Sequence, residues 1–382
     1  MRGAGDSMHA HALHDPVISD NPRVMADAAR AGATSRWWFV TRKYPPSIGG
    51  MERLSWETTT RLSLRRPCRV VAMRPGRLGL PRFMLTSAFR VFGGCVQRRI
   101  AILHVGDPVL APLAHIARAF GVPTVVTIHG LDVTYAHPVY RGYRRSFLRN
   151  FDGYICISGR VRDAAIAAGV PADRIVVIGI GIAETPSKAP AVRDDNRLLF
   201  VGRLVKRKGV AWFVDAVLPR LVTENPRLQL AIVGDGPERT AIASAANAAG
   251  VGKHLVWRGV VDEQAKVDEL SRATMCVMPN VPVPGDVEGF GIVALEAAAA
   301  ACPLLASRVD GLRDAVDDGK SGILVPPGDA DAWIVAIENW LSDVQARVAF
   351  GERARRHVAD HRSWDTIIDA YDKLLTRLSA AR

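Results

Sequence analysis

The sequence predicts two doubly wound α/β domains facing each other across a cleft, and three observations predict it. Short apolar runs alternate with helix-forming runs from Arg36 onward. The alternation breaks once, between Glu184 and Asn196, where two prolines and a charged cluster carry no apolar period. Nearly every strand-like run ends in a Gly- or Pro-containing loop that opens a helix, as in parallel sheets whose ligands sit outside the carboxyl ends of the strands. The resulting division is a leader over 1–34, a first domain over 35–184, a linker over 185–196, a second domain over 197–361 and a C-terminal helix over 362–382 expected to return to the first domain.

Composition suits that size. The chain has 382 residues, 48% apolar and 23% charged, enough for two domains. No apolar run is long enough to span a bilayer, because Arg, Asp or His interrupts each candidate. Residues 1–34 are polar and Ala-rich without a signal-peptide core, so they read as a disordered leader, or as upstream sequence if the start is Met8 or Met25. Five scattered cysteines (68, 95, 156, 276 and 302) form neither a metal-like pair nor a disulfide framework, which points to a reducing cytosol.

The net charge of +12 is unevenly placed: between Thr58 and Gly106 there are ten arginines (61, 65, 66, 69, 74, 77, 82, 90, 98 and 99) and no acid. Within that stretch Leu85, Ala88, Phe89, Phe92 and Val96 recur at helical spacing. Two readings stand: a basic amphipathic segment lying on an anionic membrane, or an ordinary helix packing its stripe on a sheet with arginines in water. Nucleic acid is disfavoured, because interleaved stacking aromatics are few and no binding motif occurs.

Taken in order, Arg36–Thr41 is the first strand, followed by a loop through Gly49-Gly50 into a helix near Met51. Such a Gly pair can bring a phosphate onto backbone N–H groups, though it is also a common turn. The G-x-G-x-x-G fingerprint is missing there, which counts against a dinucleotide oxidoreductase. Strands follow at Cys68–Met73, Ile100–Val105 and Pro123–Ile128, the last ending in His129-Gly130-Leu131-Asp132. That position places His129 where ligands bind, against the plainer reading of a structural His. Tyr154–Ser158 and Arg174–Ile178 complete the first half.

The second half starts with strand Arg197–Val201 and a loop carrying Arg203, Lys206, Arg207 and Lys208 before Gly209. Arg203 and Lys208 flank its turn and could both reach an anion above the strand ends; otherwise the loop is a solvated basic turn. Strand Leu228–Val233 runs into Gly234-Asp235-Gly236-Pro237, and Leu255–Gly259 precedes Val260-Val261-Asp262. Met275–Met278 then leads through a long loop to Glu288-Gly289-Phe290-Gly291 and a helical run, Val293–Ala301. Glycines at that terminus let a ligand approach free first-turn N–H groups. Glu288 and Glu296 flank it, either as ligand-binding acids or as a dipole-complementing acid and a surface acid. Further strands fall at 303–306 and 322–325. Asp329-Ala330-Asp331, although a D-x-D, reads as a helix N-cap and not a metal site. A last helix runs from Trp364 to Leu378.

Five of these features together resemble the retaining GT-B glycosyltransferases of family 4 over about Arg36 to Leu378. They are Gly49-Gly50-Met51-Glu52, His129-Gly130-Leu131-Asp132, Gly202-Arg203 with Lys208-Gly209, Gly234-Asp235-Gly236-Pro237, and Glu288 and Glu296 as E-x7-E. The resemblance implies two Rossmann-like domains, the first on the acceptor side and the second binding a nucleotide sugar. It implies that Arg203 and Lys208 take the donor's pyrophosphate. Gly49, Gly50, Gly289, Phe290, Gly291 and Ile292 would complete the phosphate cradle. Glu296 would hold the ribose, Glu288 and His129 the transferred sugar, and Val261 would lie beside the base.

It further implies a UDP-, GDP- or ADP-sugar donor, no metal or other cofactor, and a glycan or polyprenyl- or other lipid-linked acceptor. The setting would be bacterial cell-surface polysaccharide or glycolipid synthesis. The enzyme would be cytoplasmic, or peripheral on the inner face of the membrane through the arginine-rich 61–99 segment. Retention would proceed by front-face departure of the diphosphate rather than by double displacement through Glu288. Two alternatives remain: a non-catalytic sugar-nucleotide or polyanion binder, and a GT-B epimerase acting on the sugar nucleotide. One departure is visible. Where many members have Pro-Asn-Gly-Val-Asp, this chain has Gly179-Ile180-Gly181-Ile182-Ala183.

Overall fold

In a computed structural model of the chain, residues 36–47, 50–73, 79–135, 137–182, 194, 196–286 and 288–380 are described, without the side chain of Leu131. The leader, Gly49, Arg74, Arg77 and nearly all of the linker lie outside the described residues.

Two six-stranded sheets, parallel throughout, build the molecule. The first comprises β1 (Arg36–Thr41), β2 (Cys68–Ala72), β3 (Ile100–Val105), β4 (Thr124–Ile128), β5 (Gly153–Cys156) and β6 (Ile175–Val177), in the order β2-β1-β3-β4-β5-β6. The second comprises β7 (Arg197–Val201), β8 (Gln229–Val233), β9 (Leu255–Gly259), β10 (Met275–Met278), β11 (Leu304–Ser307) and β12 (Ile323–Val325), in the order β12-β11-β10-β7-β8-β9. In both the order reverses beside the first strand, which opens a crevice at the carboxyl edge. The central strands are buried on both faces: β4, β5 and β10 have no exposed residue, as continuous apolar runs require.

Helix Trp364–Ala380 packs against the first domain, with Arg66 Nε 2.9 Å from Asp372 Oδ1 and the Tyr371 ring 6.5 Å from that of His104. The chain reaches it past Gly179 and Gly181. A Cβ on Gly181 would stand 2.6 Å from the Trp364 ring, and one on Gly179 2.9 Å from an Arg362 nitrogen. Ile182 N–H donates to the Arg362 carbonyl at 2.8 Å. The steric demand thus falls on Gly181, a glycine in both patterns, whereas Gly179 meets only the movable end of Arg362, so nothing in the packing explains the departure at 179, 180 and 182.

Several expectations shift. The helix after Gly291 is Ile292–Ala299, ending earlier than expected because Ala301 turns left-handed (φ 53°) ahead of Pro303. Glu296 is buried rather than on the surface. Helix Gly79–Val96 buries Phe83, Ser87, Val91, Gly94 and Cys95, so the stripe of Leu85, Phe89, Phe92 and Val96 does not pack on the sheet but faces outward. The helix N-cap expected at Asp329 is found, its side chain accepting from Ala332 N–H at 3.0 Å; among the described residues no cluster of three or more His, Cys, Asp or Glu could hold a metal. Among the described residues no helix is long and apolar enough to cross a membrane.

Candidate functional site

The carboxyl ends of the two sheets meet through glycines. A Cβ on Gly50, at the start of helix Gly50–Ser63, would stand 3.0 Å from Ile292 Cδ1 at the start of helix Ile292–Ala299. A Cβ on Gly289 would stand 2.8 Å from the His129 carbonyl oxygen. Two helix N-termini, one from each domain, therefore converge on one spot, and their unsatisfied N–H groups make it a place for an anion.

The loops of the second domain lock around this point. Gly209 (φ 66°) passes so close to the Pro279 carbonyl that a Cβ would stand 1.9 Å from its oxygen. Val281 N–H donates to the Arg207 carbonyl at 2.9 Å, and Arg207 reaches Asp286 at 2.9 Å. This staples the 279–286 loop onto the basic turn and brings Lys208 Nζ to 2.6 Å from Glu288 Oε2. Arg207 Nε (3.5 Å) and Asn280 Nδ2 (3.1 Å) complete the shell of Glu288. Burial alone would raise the Glu288 carboxyl, but Lys208, Arg207 and Asn280 outweigh it and hold the group below its ordinary value. From the other side Asp310, itself left-handed at φ 42°, accepts from Glu288 N–H at 3.3 Å. Gly311 donates to the Glu288 carbonyl at 3.1 Å.

To one side of this point Glu296 meets Lys266 Nζ at 2.7 Å and Arg53 at 3.1 Å. Arg53 comes from the first domain and also reaches Glu263 at 2.8 Å, so this network bridges the cleft. Val261, half-buried, lies just ahead of helix Glu263–Arg272, which Asp262 caps. Arg203 is exposed, with no side-chain partner among the described residues. At the opposite end, over β11 and β12, Asp314 accepts from Gly159 N–H (3.1 Å) and Arg160 N–H (3.2 Å), a second contact between domains. An open hollow of about 540 Å³ lies there between Arg160, Arg308, Asp310 and Arg313.

His129 follows β4, its backbone N–H held by Asp132 Oδ2 at 2.8 Å and its Nε2 2.9 Å from the Gly106 carbonyl. Nδ1 is buried without a partner among the described residues, and the ring lines a cavity of about 20 Å³ shared with His104, Thr127 and Tyr371. Burial lifts the Asp132 carboxyl above its ordinary value, against the pull of His129.

Comparison with known proteins now decides the family. A sequence profile described as "Glycosyl transferase 4-like domain" matches residues 22–181, and one described as "Glycosyl transferases group 1" matches residues 195–343. A phosphatidyl-myo-inositol mannosyltransferase of Mycolicibacterium smegmatis is 31% identical over 274 residues, 70% of this chain and 68% of its own. The chain belongs to the group 1 glycosyltransferases. A glycogen synthase of Mycobacterium tuberculosis is 30% identical over 70% of this chain and 67% of its own. Among solved structures, a Rickettsia africae glycosyltransferase superposes with a TM-score of 0.73 at 16% identity, covering 91% of this chain and all of its own. The sucrose-phosphate synthase of Thermosynechococcus elongatus does so with 0.70 at 22% identity and the same coverage. The fold is GT-B, and the protein is a hexosyltransferase rather than a non-catalytic binder.

For this glycosyltransferase, sequence reasoning named Gly50, His129, Lys208, Glu288, Gly289, Ile292 and Glu296, and the structure gathers them at the mouth of one cleft. Phe290 is turned away, buried beneath Arg362 at 6.0 Å, so it anchors the loop and presents only backbone to the cleft. Gly234 and Gly236 serve packing: Cβ atoms there would stand 2.0 and 2.3 Å from the Gly202 and Leu204 carbonyls. Sequence reasoning missed Arg53, Lys266, Asn280 and Asp310. Arg53, three residues past the Gly pair and so on the first helical turn, carried the one available signal.

Proposed function

We propose that the enzyme transfers a hexose, with retention, from a nucleoside-diphosphate sugar to a lipid-linked or glycan acceptor. The observation that carries this is the convergence of the Gly50 and Ile292 helix N-termini beside the Lys208–Glu288 pair. The two termini, Lys208 and the exposed Arg203 supply positive charge around a leaving diphosphate, which is what a transfer without a divalent ion needs. Glu288 then lies on the sugar side of the diphosphate and Glu296 on the ribose side, where Arg53 and Lys266 must yield to the hydroxyls.

Departure of the diphosphate on the front face breaks the anomeric C–O bond, and the acceptor oxygen attacks the same face. Its proton passes to the departing phosphate oxygen, so no separate base is required. The hollow beyond Glu288 leaves room for an acceptor. A lipid acceptor is favoured because relatives are named for phosphatidylinositol substrates, and GDP-mannose, named in one such relative that is 31% identical, is the first donor to try. An Anabaena protein of the same fold holds UDP and glucose, which keeps UDP-sugars in the panel. A lipid acceptor would bring the enzyme to an anionic membrane surface as a peripheral protein, and a nucleotide-sugar donor would place it on the cytoplasmic side.

Purified protein is incubated with UDP-, GDP- and ADP-sugars, with and without lipid acceptor. One donor should raise the melting temperature and release its diphosphate unchanged by EDTA, and the product should keep the donor's anomeric configuration. An inverted product would defeat the retaining mechanism. Loss of release in EDTA, restored by Mg²⁺, would defeat metal independence. Sugar interconversion without acceptor would favour the epimerase.

A further inference from the structure

Helix Gly79–Val96 carries two apolar faces, and the fold uses one. Phe83, Val91 and Cys95 are buried, whereas Leu85, Phe89, Phe92 and Val96 are 60%, 70%, 51% and 56% exposed. On a helix turning ~100° per residue those four fall within roughly 60° of arc, so they form one continuous stripe. Phe120, 45% exposed, extends it, its ring meeting that of Phe92 edge-on at 5.5 Å. Single exposed apolar residues are ordinary; a row of phenylalanines is not.

Cations surround the stripe. Arg82 and Arg90 are exposed on the same helix, and Arg98 and Arg99 follow it. Arg69 stacks on Trp38 at 4.4 Å and feels the charges of Arg36, Arg90 and Arg99. Arg61, Arg65 and Arg66 are paired with carboxylates, but among the described residues Arg69, Arg82, Arg90, Arg98 and Arg99 form no such pair. Gathering like charges around exposed aromatics is costly unless an anionic, partly apolar phase answers both.

We propose that this face docks on an anionic lipid bilayer, with Leu85, Phe89, Phe92 and Val96 entering the headgroup–acyl boundary and the arginines meeting lipid phosphates. The inference rests on the lipid-acceptor reading above and assigns the surface that would serve it. A second copy of the chain is the weaker occupant. A two-fold contact sets the same patch against itself, and this one would oppose arginine to arginine with no acid between Thr58 and Gly106.

The test is sedimentation of the full chain with phosphatidylglycerol–phosphatidylcholine vesicles and with pure phosphatidylcholine vesicles. The protein should sediment with the anionic vesicles at low salt and far less with the neutral ones. Phe89→Ser/Phe92→Ser should weaken the partition by about tenfold or more, and Arg82→Ser/Arg90→Ser should weaken it and flatten its salt dependence. Both variants should keep nucleoside-diphosphate release with a soluble acceptor. If the first variant loses its melting transition, Leu85→Ser/Val96→Ser repeats the test on the same stripe. Unchanged vesicle binding by the stripe variants overturns the proposal, as does a wild-type dimer that they split. Vesicle binding by a protein that transfers sugar onto soluble acceptors but onto no lipid acceptor would instead leave the docking intact and defeat the lipid-acceptor reading.

Discussion

Replacing Lys208 with Met leaves the Glu288 carboxylate without its nearest cation. At 2.6 Å their attraction is roughly 6 kcal/mol at an effective dielectric near 20. Most of that offsets desolvation in the intact pair, since the side chains are only 9% and 12% exposed. Breaking a buried pair from one side costs about 3–5 kcal/mol. Arg207 at 3.5 Å and Asn280 at 3.1 Å still serve Glu288, so the expected loss is at the low end, about 3 kcal/mol. Glu288→Gln/Lys208→Met removes both charges and should recover stability to within about 1 kcal/mol of wild type. Activity should not follow. Both variants lack a cation at the leaving diphosphate and should lose roughly a hundred- to a thousandfold in turnover. Urea unfolding read by tryptophan fluorescence, beside diphosphate release, separates the two effects. Because the folded Glu288 carboxyl titrates below its unfolded counterpart, the pair's contribution is present above the ordinary carboxylate range and fades as pH falls through the depressed value. A Lys208→Met protein as stable as wild type would refute this reasoning, as would a double variant no more stable than the single one.

The same geometry sets other outcomes. Glu288→Ala should cut turnover more than donor affinity and Glu296→Ala the reverse, by about tenfold or more in each dominant parameter; steady-state kinetics and donor titration would expose equal effects on both. His104, held neutral first by burial and second by the charge of His129, has its pKa lowered from 6.5 to about 3. Between those values the unfolded chain binds a proton that the folded one refuses, so stability should fall as pH drops, by up to ~1.4 kcal/mol per pH step. His104→Gln should flatten that slope in urea titrations from pH 7 to 4. Gly289→Ala places a methyl 2.8 Å from the His129 carbonyl and should force the domains apart, raising the donor KM about tenfold or more while leaving the melting temperature near wild type. An unchanged KM would mean that the domains do not approach at that point during turnover.

Much of the architecture was legible in the chain because period and loop chemistry are local properties. The strand cores of both sheets, the glycines at Gly50, Gly289 and Gly291, and the acids eight positions apart could be placed without coordinates, since strands buried on both faces read as apolar runs and a ligand at their ends demands glycine. Helix Val344–His361 went unread, its one large polar burial, Arg347, hidden in an otherwise charged segment. The ends of helices shifted because fraying and left-handed caps depend on the residues beyond the last turn, as Ala301 ahead of Pro303 shows.

By itself the sequence determined a two-domain α/β chain with phosphate-ready helix starts and a strongly cationic first domain. Tertiary structure alone decided which charges meet and which faces are covered. Lys208 reaches Glu288 only because the 279–286 loop is stapled to the basic turn, and Glu296 meets Arg53 only because a residue 243 positions away crosses the cleft. It also decided between two uses of one helix, since a stripe at helical spacing has the same period whether it faces a sheet or the outside. Phe83 and Val91 took the sheet side, and Phe89 and Phe92 were left outward. Periodicity fixes which side chains share a face; only the packing of the remaining chain determines which face has a neighbour.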